Sequence, residues 1–181
     1  MVVSVSTGLF DTIQIDAMTR RIKRVSDSKS EMVQLVLPND TNMLGNLLGG
    51  TLMHWIDLAG AIVANRHCRT AIVTASMDGL NFLFPIPLGY LVVLKGKILY
   101  AGKSSMEVRV EVYSEDTLTG KRLQTSTAFL CYVAVDLEGR PVSVPKLDLR
   151  TQEERDCFQE AEKRKKRRLA KLKKESMKKT K

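Results

Sequence analysis

Asp40-Thr-Asn-Met-Leu-Gly-Asn-Leu-Leu-Gly-Gly-Thr-Leu-Met-His-Trp-Ile-Asp57 changes character at Gly49-Gly50. Before the glycine pair, Asp40, Asn42, Gly45 and Asn46 favour turns. After it, Leu52, Trp55, Ile56, Ala59, Ile62 and Val63 recur at helical spacing. The pattern predicts one long helix from about Gly49 or Gly50 to Arg66, with that apolar stripe buried. Glycines at a helix start let a ligand approach the backbone closely. The free amides there point along the axis and carry partial positive charge, which suits a developing oxyanion. Asp57 lies off the stripe, and its neighbours at +3, +4 and +7 are Gly60, Ala61 and Ala64. A carboxylate on a row of small residues suggests close packing by another subunit or a slim ligand. The competing reading is a plain exposed helix aspartate.

Outward from this helix the chain reads as strands. Met32 to Leu37 is a strand stopped by Pro38. Ala71 to Phe82, Leu91 to Tyr100, Met106 to Tyr113 and Leu123 to Val135 follow, with turns at Pro85–Gly89, Gly102-Lys103, Thr119-Gly120 and Glu138-Gly139. Met106, Val108, Val110 and Val112 alternate with polar or larger residues, as in a sheet with one buried face. Short turns imply antiparallel neighbours, and a lone long helix must bury its stripe against that sheet. The expected class is α+β, a central helix wrapped by an antiparallel sheet. Residues 1–30 read as a lead-in arm of uncertain order, and 150–181 as a basic C-terminal helix or tail. That last segment starts acidic and ends basic, which complements a helix dipole, and is expected to be solvated and frayed.

Composition narrows the function. The 181 residues carry a net charge of +9. From Arg150 onward 14 Lys and Arg face 6 acids, so the first 149 residues hold only +1. The basic character belongs to the tail, which argues against nucleic-acid binding by the domain. No apolar run is long enough to span a membrane. Cys68, Cys131 and Cys157 show neither a disulfide framework nor metal spacing, and a reducing cytoplasmic setting is expected. Gly102-Lys103-Ser104 matches the end of a phosphate loop, but Lys97 stands where its first glycine is needed. There is no G-x-S-x-G elbow, and His54 and His67 form no zinc pair. Cys68 beside His67 reads as packing.

At this point the motifs converge. Asn42-x-x-Gly45-Asn46-x-x-Gly49-Gly50, Ile56-Asp57 with Ala59-Gly60-Ala61-Ile62, and Arg66-His67-Cys68 are followed by Val73 to Asp78, Asn81-Phe82, Pro85, Gly89, Ser104 to Val108, Tyr132 to Asp136 and Val144-Pro145. In this order they resemble the hotdog-fold acyl-CoA thioesterase family that includes brain-type acyl-CoA hydrolase and its bacterial relatives. The resemblance spans roughly Met32 to Leu147 and marks 31–149 as a hotdog thioesterase domain. It implies hydrolysis of fatty acyl-CoA to free acid and CoA, a part in lipid metabolism, and no metal or redox cofactor. Asn46 and Asp57 carry over by position as its functional residues.

Asp57 falls about eight residues into the helix, or ~12 Å along its axis. Asn46 precedes the helix, so one chain can hardly aim both side chains at one carbonyl. Two antiparallel copies can, and the expected partner is a second copy, as a dimer or as three dimers together. In that site the Gly50 amide and Asn46 polarise the thioester carbonyl, while Asp57 acts as base on a water or as nucleophile. Thr74 is a candidate for positioning the water, and reads also as an ordinary strand residue. Gly49 borders the substrate, and the Lys103-Ser104-Ser105 turn is a candidate for the CoA phosphates. The rival readings are a non-catalytic acyl-CoA-binding hotdog regulator and a nucleic-acid-binding protein acting through its tail. The regulator would lack Asp57 or Asn46, and the nucleic-acid reading lacks aromatics among the tail charges, where Phe158 stands alone.

Overall fold

A computed structural model describes residues 22–179. Strand β1 (Ile22–Arg24) leads through a 3-10 turn (Val25–Ser28) into β2 (Ser30–Leu35). Helix α1 (Gly49–Cys68) follows, then β3 (Ala71–Asp78), β4 (Leu91–Ala101), β5 (Ser105–Glu115), β6 (Arg122–Val135), β7 (Lys146–Asp148) and helix α2 (Gln152–Lys179). The main sheet is antiparallel in the order β2-β4-β5-β6-β3. The fold is therefore the expected α+β hotdog arrangement, with α1 against the concave face and α2 added behind.

The alternation in β5 and β6 does what it predicts. Met106, Val108, Val110, Val112, Ala128, Leu130, Tyr132 and Ala134 all point inward and are buried against Leu52, Ile56, Ala59 and Val63 of α1. Gly96 of β4 allows a close approach: a Cβ there would stand 2.6 Å from Val63 Cγ2. Two details of the helix depart from the sequence reading. It runs two residues past Arg66, to Cys68, and closes on Arg69 in the left-handed conformation (φ 56°). Ile62 does not belong to the buried stripe. It is 37% exposed, beside Leu58 at the outward margin of α1. Helical phase explains it, because Ile62 follows Leu58 by one turn and lies about 100° around the axis from Val63, at the margin of the stripe.

The arm is ordered over residues 22–30, while 1–21, including Arg20 and Arg21 of its basic patch, lie outside the described residues. β1 pairs in parallel with β7, and Lys23 Nζ donates to the carbonyls of Arg66 and His67 at 3.0 and 2.8 Å, capping the end of α1. His67 is fully buried and its Nε2 lies 2.8 Å from the Pro145 carbonyl.

The C-terminal segment is helical over Gln152–Lys179, and solvated as expected only in its second half. Its first half docks on the outer face of the sheet. Ala161 is fully buried, and Phe158 packs on Tyr100 with ring centroids 4.8 Å apart. Glu107 points outward from β5 and is only 1% exposed, with Arg164 and Arg168 each reaching its carboxylate at 2.8 Å. Arg164 also stacks over Phe129 at 4.2 Å. Charge counting hid this, because the arginines that made the segment look solvated are the ones buried against an acid of the sheet.

Candidate active site

The turn-forming residues before α1 fold into a loop held by one side chain. Asn42 Oδ1 accepts the amides of Leu44 (2.9 Å) and Asn46 (3.2 Å), and Gly45 takes a positive φ of 73°. The Asn46 backbone bridges to Pro87. Leu48 ends the loop, and α1 begins at Gly49. A Cβ at Gly49 would touch Phe82 at 3.4 Å, whereas Gly50 opens onto empty space. Gly50 is exposed, so the first turn of α1 meets the outside there, where an anion or oxyanion is favoured.

Asp57 sits two turns along, on the outward face of α1, half-buried. Its Oδ1 accepts from Thr74 Oγ1 at 2.9 Å and from Tyr132 Oη at 3.2 Å. The Tyr132 hydroxyl also lies 2.9 Å from the Asp57 carbonyl. Burial first, then the Asp57 charge, then the hydrogen bond push that hydroxyl far above the usual phenol range, so it stays protonated and donates. Thr74 comes from β3 and Tyr132 from β6, in register with each other. The carboxylate is therefore gripped by two strands and keeps Oδ2 free among the described hydrogen bonds.

The row of small residues beside Asp57 has a concrete occupant at one position. A Cβ on Gly60 would collide with the Tyr132 hydroxyl and stand 3.2 Å from its ring. Tyr132, from the same chain, fills that space. It was missed as a site residue because it reads as one more inward-facing strand residue. The signal was available in a glycine three residues after the aspartate, with a tyrosine facing the helix.

One chain does not bring all the candidates together. Asp57 and Thr74 touch, while Gly49, Gly50 and Asn46 lie at the helix start. Lys103, Ser104 and Ser105 lie at the other end of α1. The Lys103 carbonyl accepts from Val144, next to the Pro145 that meets His67. His67 follows Gly50 by 17 residues, or ~26 Å of helix. Among the described residues no group of three His, Cys, Asp or Glu could hold a metal ion.

Residues 44–121 match the model of the thioesterase superfamily. An uncharacterized acyl-CoA thioester hydrolase of Bacillus subtilis, YkhA, is 45% identical over 128 residues, covering 71% of this chain and 74% of that protein. The chain belongs to this thioesterase superfamily. Among its other members, the human cytosolic acyl coenzyme A thioester hydrolase is 38% identical over 75% of this chain. The chain spans only 36% of that longer protein. Two solved thioesterases superpose closely. A hexameric acyl-CoA thioesterase in its apo form has a TM-score of 0.79 at 38% identity, covering 83% of this chain and 97% of its own. The acyl-CoA hydrolase of Staphylococcus aureus, in complex with butyryl coenzyme A and coenzyme A, has 0.78 at 36% identity, covering 86% and 95%. That thioesterase was also solved as alanine variants of an asparagine, an aspartate and a threonine spaced 15 and then 17 residues apart.

Proposed function

We propose that the protein hydrolyses acyl-CoA thioesters to a free acid and CoA, at a site that two copies complete. One observation carries the reading: a carboxylate on the open face of α1, fixed by Thr74 and Tyr132, in a fold whose helix start is exposed at Gly50. The relatives' activities support the substrate class. Asp57 takes a proton from water as the hydroxide adds to the thioester carbon. The tetrahedral oxyanion is stabilised at the Gly50 amide and an asparagine amide. As it collapses the carbon–sulfur bond breaks, and Asp57 returns the proton to the leaving sulfur. Direct attack by Asp57 instead gives an anhydride that water opens. A single turnover in ¹⁸O-water leaves label on Asp57 only by that second route.

The sequence pointed to Asn46 as the asparagine, and two observations support giving Asn42 the donor's part with Asn46 beside it. Asn42, Asp57 and Thr74 reproduce the 15- and 17-residue spacing of the three positions varied in the Staphylococcus aureus hydrolase. The Asn42 amide is also oriented in advance, since its oxygen accepts two backbone N–H groups and its NH₂ is left to donate.

The need for a second copy is supported by what α1 leaves uncovered. Met53, one turn before Asp57, and Leu58, next to it, are exposed, with Ile62 further round the helix, and Phe82, Leu83 and Phe84 are exposed near the start of α1. β3, which holds Thr74, is a sheet edge carrying no proline or lysine to discourage pairing. Two copies joined there set the Asp57 of one near the helix start of the other. They also bring the Lys103–Ser105 turn of one copy toward the far end of its partner's site, where we place the CoA phosphates. Assembly beyond the dimer, as three dimers, follows the hexameric relative. A cytoplasmic location follows the human relative described as cytosolic, and among the described residues no helix is long and apolar enough to cross a membrane. The test is free-thiol release from acyl-CoAs of graded chain length. Wild type releases thiol and Asp57→Asn loses at least a hundredfold, while equal rates in both remove Asp57 from the chemistry.

A further inference from the structure

α2 crosses the outer face of the sheet and continues past its edge. Its contacts run in order from β4 to β3. Glu153 meets Lys97 and Phe158 meets Tyr100 on β4. Arg164 then meets Glu107 of β5 and Phe129 of β6, and Arg168 meets Glu107 and Asp78, the last residue of β3. β3 is the edge strand. The helix nevertheless runs on to Lys179, 11 residues or ~16 Å beyond Arg168. With strands ~4.8 Å apart, that length spans two to three strand widths. Leu172 continues the sheet-facing row of Ala161, Lys165 and Arg168, yet it is 59% exposed, and Leu169 beside it is 55% exposed. The stripe that docks on the sheet thus outlasts the sheet.

We propose that the end of α2 docks on the outer sheet face of a second copy of this chain, across the β3 edge. The proposal rests on the two-copy reading above and adds to it a clamp outside the site. When one strand edge pairs with its own copy about a two-fold axis, the pairing is antiparallel. The Asp78 end of β3, where α2 leaves its own sheet, then faces the Ala71 end of the partner strand.

The Ala71 end offers a matching surface. Val73 is 49% exposed, and its outward neighbours Val133 and Val135 on β6 are only partly covered, because the chain's own α2 crosses nearer Asp78. Beyond Val135 the turn Asp136–Arg140 holds Leu137 at 98% exposure. Leu169 and Leu172 meet Val73, Val133 and Leu137 in this arrangement, and Lys171, Lys173 and Lys174 come beside Asp136 and Glu138. Arg140 pairs with both acids, so the turn keeps one net negative charge and the apolar contact dominates. A lone helix end rich in lysine also suits an anionic lipid surface, but the exposed Val73 and Leu137 lie where a second copy needs them.

The test pairs two differently tagged chains, one carrying Leu172→Cys and the other Val73→Cys, each with Cys131→Ser. After mixing and mild oxidation, a disulfide joining the two tags is the expected product, absent when either cysteine chain is mixed with an oppositely tagged chain carrying only Cys131→Ser. Leu169→Glu/Leu172→Glu should weaken self-association by at least tenfold in sedimentation, about the effect of re-exposing one buried leucine. Oligomers that persist with no disulfide and unchanged association overturn the clamp and leave the shared site standing. A chain that sediments as a monomer at assay concentration overturns both. Binding of wild type, but not the double variant, to phosphatidylglycerol vesicles without any disulfide overturns the second copy in favour of lipid.

Discussion

Tyr132→Phe separates holding the carboxylate from merely packing the core. The substitution keeps the ring against Gly60 and removes only the hydroxyl that lies 2.9 Å from the Asp57 carbonyl and 3.2 Å from its Oδ1. The helical carbonyl keeps its own N–H donor in α1, so the folding cost is that of one ordinary hydrogen bond, ~0.5–1.5 kcal/mol. For a chain of this size that lowers Tm by about 1–6 °C. The catalytic cost is expected to be a loss of at least about tenfold in kcat, because Oδ1 loses one of the two donors that hold the carboxylate in position. Thr74→Val removes the second donor to the same oxygen, so the two effects should not add in a double variant. The assay is steady-state thiol release with melts of all three variants. KM should change little, since neither hydroxyl is assigned to the substrate. A Tyr132→Phe protein with kcat within twofold of wild type, or strictly additive losses in the double variant, refutes the shared grip on Asp57.

Further outcomes follow from the same geometry. Gly60→Ala should lower activity while the helix stays intact, because its methyl displaces the Tyr132 hydroxyl, and circular dichroism with thiol release checks both. Arg164→Met/Arg168→Met leaves Glu107 buried without a partner, an expected loss of ~3–5 kcal/mol seen in urea unfolding. Removing 160–181 should destabilise similarly, and a melt unchanged by truncation contradicts the docked helix. Burial, ahead of the neighbouring Lys23 charge, lowers the proton affinity of His67 below the usual imidazole value. The unfolded chain then binds more protons, so stability is full above about pH 6.5 and falls as pH drops through the range below it. His67→Gln should flatten that part of the stability profile.

The glycine pair before a six-residue apolar stripe was enough to place α1, and the alternation from Met106 onward was enough to place β5 and β6. Periodicity reports which face is buried, and these elements each bury one face. Asp57 was visible as a carboxylate off the stripe. What escaped was what depends on contacts between distant segments. Ile62 carries an apolar side chain on a face the single chain leaves open. Tyr132 looks like core until Gly60 is set against it. Glu107 alternates correctly as an outward residue, and only α2 arriving 57 residues later buries it. Asn42 and Asn46 both suit a turn, and nothing in local pattern tells which one ties the loop with its oxygen.

The proposed site needs two chains to complete it, and complementation measures this directly. One chain carries Asn42→Ala and Asn46→Ala, and the other carries Asp57→Ala. Each alone forms oligomers lacking one half of every site. In a heterodimer purified through both tags, one site loses both halves and the other regains an intact loop and an intact Asp57. The predicted result is acyl-CoA hydrolysis at up to about half the wild-type rate, from parents that each have almost none. A verified, folded heterodimer as inactive as its parents would contradict the shared site.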